Sequence, residues 1–552
     1  MKTLGIRDII GPIMIGPSSS HTAGALRIAG MCRGLLAAPP RRATFRLYGS
    51  FAHTYRGHGT DRALVAGMLG MATDDARIRD SFAWAQKAGL AFSFEPDPET
   101  HVSHPNTVDI EVEDENGEIT AMRGESIGGG AAVITRINGV DVRLTGEYHS
   151  IVVKQRDEKG VLAHIATCLN VFDVNIATTR MFRERKGDIA YTIMQTDEEI
   201  NPAVARAIEK NPAILDVRIV KSDRASEAVA PVRGAAGDAR PAGFAADMTP
   251  DAAAAAFESL DFACAADMLA YCEREGIAIS EAICRRERCM LAADGIAVDN
   301  SRRYLREALR VMREAAHGPI KAPAKSMGGL IGGEAQALSA LEESGGGAAD
   351  GLLARAITYA MATLETNASM GRIVAAPTAG ASGVVPALLL AEQDLRGYDD
   401  ERLVSALANA AAIGYVITRN ATVAGAEGGC QAEVGSAAAM AASAAVELAG
   451  GSPRQCLAAA SNALSGMMGL VCDPIAGLVE APCQKRNAAG VANAVAAAQI
   501  ALAGVENLVN FDQTLEATRR VGASLPFELR ESALGGLAAT PAACAYCEAC
   551  RK

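Results

Sequence analysis

HSIVVKQRDEKGVLAHIATCLNVFDVNIATTRMFRERKGDIAYTIMQTDEEINPAVARAIEKNPAILDVRIVKS, residues 149–222, is the stretch from which the architecture is read. HSIVVKQ predicts a strand, and DEKG turns the chain into an amphipathic helix, VLAHIATCLNVFD. VNIATTRMFRERKGDIAYTIMQTD predicts a hairpin, EEINPAVARAIEK a second helix, and ILDVRIVKS a closing strand. The order β-α-β-β-α-β describes a compact unit of one sheet and two helices. It separates two regions of different character.

Upstream, residues 1–147 predict an α+β domain. RATFRLYGSFA and NTVDIEVED alternate as strands do, and NGEIT returns as a hairpin. IGPSSSHTAGALRIAGMCRGLL reads as a polar turn feeding a helix, with Ser20 or Thr22 as its cap. Downstream, residues 223–250 are rich in Ala, Pro, Gly and Arg without apolar periodicity, as a tether is. Residues 251–552 then predict a large all-α domain: FESLDFACAADMLAYCEREGI and SRRYLREALRVMREAAHG have helical spacing, and later helices are Ala- and Gly-rich. Its last twelve residues, 541–552, form a cysteine-rich tail. The fold class expected is therefore multidomain, with a large all-α C-terminal part.

With 552 residues the chain exceeds one core. A net charge of -11 argues against nucleic acid as a partner, since phosphate neutralisation needs a basic surface. The N-terminus lacks a charged-then-apolar signal pattern, and long uncharged stretches such as Asn487 to Val505 are built from Ala, Gly and Asn. No membrane partner and a cytoplasmic location are expected. Thirteen cysteines without an export signal do not predict a disulfide framework. The default for each is an inert, buried small hydrophobe.

EGGCQAEVGSAAAMAA and GLVCDPIAGLVEAPCQKRNA carry the chemistry. Cys430 follows two glycines, Cys472 precedes Asp-Pro, and Cys483 follows a proline. Each sits at a turn or helix start, a position expected to expose the thiol and favour the thiolate. The spacing lacks the close Cys pairs of zinc sites. Three thiolates from separate loops suit a cubane cluster with one iron lacking a protein ligand, a Lewis acid. Three unconnected core cysteines are the alternative.

These blocks resemble the α domain of the iron–sulfur L-serine dehydratases, and IVAAPTAGASGVVPA does likewise. IGPSSSHTAGALRIAG, YGSFAHTYRGHGTDRAL and SHPNT resemble their β domain, and the matching blocks run in family order from about residue 5 to 540. Asp157 to Gly160, VLAHIATCL and Val174-Asn175-Ile176 resemble the ACT domain, a ferredoxin-like amino-acid-sensing module. The resemblance implies a 4Fe-4S cluster on Cys430, Cys472 and Cys483, and β-elimination of the L-serine hydroxyl to give pyruvate and ammonia. It also implies a homodimer, and an amino-acid effector near Asp157, Gly160 and Asn175; dimer contact alone is the other reading of that unit.

Elimination needs a base for the α-proton, and histidine is suited to it at neutral pH. His58, between glycines in GHGTD, is the favoured base, with Asp61 as a possible orienting group. His21 in SSSHT follows, beside Ser19, Ser20 and Thr22, which are expected to contact substrate or cluster. His104 and Asn106 in SHPNT are further substrate contacts, and His53 ranks last. In the all-α domain, Asn367, Thr378 and Ser382 lie next to glycines that permit close approach. Lys485 and Arg486 are placed to hold the substrate carboxylate, or else cap a helix or meet solvent. Ser326, in KSMGGLIGGE, is a loop hydroxyl without an assigned role.

Cys550, last of three tail cysteines with Cys544 and Cys547, is a candidate displaceable fourth ligand. A second metal and a tail without a site are the competing readings. Pyridoxal phosphate is not expected: GESIGGGAA and KSMGGLIGGE are glycine-rich but follow no long βαβ series. An iron–sulfur L-cysteine desulfidase is the closer rival, disfavoured by SSSHT and GHGTD. A non-enzymatic amino-acid or redox sensor is the third reading, against which the three cysteines and the histidines together speak.

Overall fold

The computed structural model describes residues 3–146, 148–183, 185–196, 198–221, 244–245 and 248–550, with the side chains of 547–550 excepted. Two units emerge, residues 20–230 and a second made of residues 1–19 with 231–552.

In the first unit a six-stranded sheet runs in the order Ala91–Asp97, Pro40–Tyr48, Thr107–Asp114, Ile119–Gly128, Ala131–Ile137, Val140–Leu144. Its first pair is parallel and the others antiparallel. The expected alternation is present: Val108, Ile110 and Val112 are buried while Glu111 faces solvent. The buried Asp114 accepts from the backbone N–H groups of Ala38, Asn116 and Glu118 and so fixes the hairpin end. Helices Ala25–Gly34 and Thr60–Met68 pack on each other, the former also against the sheet.

The same unit contains the β-α-β-β-α-β segment, with strands His149–Arg156, Ile176–Arg183, Ile189–Thr196 and Ile214–Val220 and helices Val161–Val171 and Pro202–Ile208. The fully antiparallel order, fourth-first-third-second, is ferredoxin-like. Its core joins Ile151 and Val153 to Ile165, Leu169 and Val204. Asp157 accepts from Arg183 and from the Gly187 N–H, both at 3.0 Å. Gly160, at φ +85°, starts the first helix, and the Asn175 N–H donates to Glu198.

The second unit is helical. Helices Asp400–Asn420 and Ser436–Leu448 run through its centre, and 12 of the 13 residues of the latter are buried. Such burial explains the Ala-rich composition, because small side chains let neighbouring helices approach on every face. The chain's beginning belongs here. Ile6, Ile9 and Ile10 join the helical core, and Ile13–Ile15 pairs antiparallel with Arg372–Val374. The Ile6 N–H donates to the buried Glu287, which also accepts from Ser301.

Among the described residues, no helix is long and apolar enough to cross a membrane. Arg286, 1% exposed, is the largest fully buried side chain. Its guanidinium donates to Asp261 and to the Leu4 carbonyl and lies over the Tyr415 ring. Removing one partner of a buried charged pair costs about 3 kcal/mol. Arg286→Ala is expected to lower the unfolding free energy by that amount in denaturant titrations. Arg419→Ala, whose charge meets the same Asp261 but is more exposed, should cost less than half as much.

Candidate functional site

Cys430 follows Gly429, whose φ of +75° and closeness to the Leu470 carbonyl exclude a side chain. It heads a π-helical turn, Gln431–Gly435, that feeds the buried helix from Ser436. Gln431 locks that turn: its backbone N–H donates to Leu470, its amide donates to the Thr518 carbonyl, and its amide oxygen accepts from Gly469. Cys472 is held by its backbone, donating to Leu529 and accepting from the Glu531 N–H. Cys483 is the first residue of helix Cys483–Leu502.

Cys430 and Cys472 are buried and Cys483 half-buried. This corrects the expectation of exposed thiols poised as thiolates. Burial pushes the Cys430 thiol up to about 12, with the Glu433 charge adding to it. Burial also raises Cys472 and Cys483, the Cys430 thiol adds to both, and Cys483 adds to Cys472. Helix starts favour thiolates only where solvent or a counter-charge remains, and these side chains point inward.

Two carboxylates, the half-buried Glu433 and the buried Glu531, share the place. A Cβ on Gly425 would lie 2.7 Å from Glu433 Oε2 and 3.3 Å from Glu531 Oε2, so both acids crowd one backbone segment. Burial raises Glu433 to about 7, and burial plus the Glu433 charge raise Glu531 further. The Thr378 hydroxyl donates to Glu433 at 2.9 Å. Arg486 pairs with the buried Asp473 at 2.6 Å and donates to the Val471 carbonyl. Three thiols from separate segments, with the Arg486 cation beside them, form a donor set whose protons iron can replace, the thiolates being neutralised by the metal rather than by water. An iron–sulfur cluster binds such a set, so the residues fit the group.

The turn before helix Val384–Arg396 lies against Glu433, where a Cβ on Gly380 would be 3.1 Å from its carboxylate. Asn367 donates to the Ala379 carbonyl, and Asn487 accepts from Gly383 and donates to Gly380, tying this turn to the Cys483 helix. Asn367 Oδ1 and Ser382 Oγ are buried without a hydrogen-bond partner, as polar groups awaiting a ligand are. Lys485 lies exposed, apart from these groups.

Ser326 donates to Glu480, which also accepts from the Gly328 and Leu330 N–H groups, so its glycine-rich loop cradles a carboxylate of the chain itself. The tail forms helix Pro541–Cys550 with Cys544 exposed; the side chains of Cys547 and Cys550 lie outside the described residues.

The mixed unit holds the histidines. Neither Ser20 nor Thr22 caps helix Ala25–Gly34; a π-helical turn, Ser19–Gly24, leads into it instead, a distortion frequent at functional sites. The turn puts His21 inside, with Nδ1 3.0 Å from the Ser20 hydroxyl and Nε2 2.9 Å from that of Ser50. The His58 ring stands edge-on to His21, centroids 4.4 Å apart. Thr22 donates to the His58 carbonyl at 2.7 Å. Among the described residues, both His58 ring nitrogens are buried without a hydrogen-bond partner. Burial holds His58 down to about 3, and burial with the neighbouring histidines lowers His21. Asp61 does not orient His58: it accepts from the Arg62 N–H. Ser19 is buried. His104 accepts from the Asn106 N–H, and Asn106 is itself buried. His53 is exposed.

Glu433, Glu531, Asp473, Asn487 and Ser50 were not anticipated from sequence. Glu433, three residues after Cys430, carried a helical-spacing signal; Glu531 carried none.

A family model described as the serine dehydratase alpha chain matches residues 243–538, and one described as the beta chain matches residues 7–136. An L-serine dehydratase of Streptomyces coelicolor is 30% identical over 539 residues, covering 95% of this chain and 96% of its own. The L-serine dehydratase alpha chain of Peptoniphilus asaccharolyticus is 43% identical, over 50% of this chain and 93% of its own. A probable L-serine dehydratase beta chain of Bacillus subtilis is 41% identical, over 39% of this chain and 98% of its own.

The depressed His58 makes a prediction for stability. Unfolded histidine protonates near pH 6.5 and the folded one only near 3, so stability is lost as pH falls through that window. Between pH 7.5 and 5 the loss is about 2 kcal/mol. His58→Gln is expected to shrink the pH dependence of the unfolding free energy by that amount; an unchanged dependence would show His58 to be solvated.

Proposed function

From the premise that the chain belongs to the serine dehydratase family, with the alpha- and beta-chain regions on one polypeptide, we propose that it deaminates L-serine to pyruvate and ammonia with a 4Fe-4S cluster. It is an enzyme of the L-serine dehydratase type. The observation that carries the iron–sulfur reading is the convergence of three thiols from separate segments, two buried and one half-buried, beside the acids Glu433 and Glu531.

Cys430, Cys472 and Cys483 would hold the cluster. When bound, it supplies an iron without a protein ligand, a Lewis acid that eases departure of the serine hydroxyl. Arg486, anchored by Asp473, offsets thiolate charge, and Thr378 orients Glu433. Asn367 and Ser382 offer unpartnered polar atoms to the amino acid.

His58 is the base. Burial keeps it neutral, and among the described residues both ring nitrogens lack a partner, so the unprotonated one is available to take the α-proton. His21 is committed to two serine hydroxyls and positions its neighbour, while Thr22 fixes the backbone that carries His58. Aminoacrylate, the elimination product, tautomerises to an imine that water hydrolyses. The ferredoxin-like segment, similar to the ACT domain, is assigned amino-acid sensing within a homodimer.

Anaerobic isolation with iron and sulfide analysis, followed by a serine-dependent pyruvate assay, tests this reading. Alanine at Cys430, Cys472 or Cys483 is expected to abolish iron retention and turnover together. His58→Ala should keep the iron and lose at least about 100-fold in kcat. Protein without iron, or thiol variants that still deaminate serine, would refute the assignment.

A further inference from the structure

Behind the first cysteine loop the helical unit encloses a cavity of about 330 Å³ that the serine reaction does not use. One wall is aliphatic, from the buried Ile417, Leu464 and Leu515. The lining also includes Glu427 and Gly428, three and two residues ahead of Cys430, and Gln431.

Charge enters from two side chains. Arg530 lines the cavity, and the Glu427 carbonyl, 3.3 Å from Nη1, is its one acceptor among the described residues. Its Nε is buried without a partner. A guanidinium has five donors in a planar fork that matches a carboxylate, so this one is strongly under-used. Glu427 stands exposed at the rim, taking a hydrogen bond from Thr422 and retaining acceptor capacity for a cation. Arg519, also on the lining, is committed to Glu516 and adds little.

An under-used guanidinium, a rim carboxylate and an aliphatic wall complement one class of ligand. We propose that this cavity binds an aliphatic α-amino acid as its zwitterion, carboxylate on Arg530, ammonium toward Glu427, and side chain against Ile417, Leu464 and Leu515. The site is joined directly to the cysteine loops. Arg530 faces Cys472 in a parallel bridge, and Gln431, which lines the cavity, locks the turn that Cys430 heads. Occupancy therefore bears on the backbone that sets two of the three thiols.

Calorimetric titration of the anaerobically isolated full-length chain with L-valine tests the proposal without reference to turnover. One saturable site is expected, with L-serine binding there at least tenfold more weakly because its side chain offers the aliphatic wall little. Arg530→Gln should raise the L-valine Kd at least tenfold. Glu427→Gln, at an exposed position where misfolding is not an issue, should weaken L-valine severalfold but leave isobutyrate, which lacks the ammonium, unchanged. Absence of saturable L-valine binding overturns the proposal, as does indifference to Arg530→Gln in a folded variant. Loss of binding with Asp157→Ala instead would place the ligand on the ferredoxin-like segment and equally overturn it.

Discussion

The helical unit is organised around charge that has no solvent to go to. Three thiols and the acids Glu433 and Glu531 are held close together, and burial, the Glu433 charge and the Cys430 thiol raise the cost of ionising their neighbours. Left to itself such a cluster stays protonated or drifts apart. The surrounding backbone prevents the second outcome: Gln431 pins one loop, the bridge between Cys472 and Arg530 a second, and Asn487 joins the third to the Thr378 turn. The scaffold is therefore rigid where its electrostatics are least comfortable, as expected of a site preorganised for a ligand of opposite charge.

The histidines of the mixed unit show the complementary arrangement. They are stripped of water and kept neutral, and the two differ in what they touch. His21 is saturated by hydroxyls, whereas His58 has bare nitrogens in a closed environment. Unsatisfied buried nitrogens persist in folded proteins mainly where function repays their cost. Residue type alone does not separate the two rings; their hydrogen bonds do.

Much of this was legible in the sequence because it is local. Period-two alternation in TVDIEVED specified a strand of the six-stranded sheet, and the turn DEKG before VLAHIATCL specified the first helix of the ferredoxin-like order. Cysteines beside Gly and Pro drew attention for the right reason, since those residues shape the turns. Solvent access was misread, because a turn signal says where a chain bends and nothing about which way its side chain points. Glu531 was invisible for a related reason: FELRESALGG has surface-like polarity, and only distant packing makes Glu531 interior, while Ser50 is a lone serine in the apolar LYGSFA. Lys485 and Arg486 are adjacent, yet helical geometry sends one outward and the other to Asp473.

The antiparallel pairing of Ile13–Ile15 with Arg372–Val374 has a consequence for biosynthesis. The segment Ile13–Ile15 meets its partner strand only some 360 residues further along the chain. At about 5–20 residues per second that is an interval of about 20 to 70 seconds, during which Ile6, Ile9 and Ile10 have no core to enter. This segment thus stays sticky throughout that interval, and shielding by a holdase would matter more for it than for a segment whose partner follows closely in the chain.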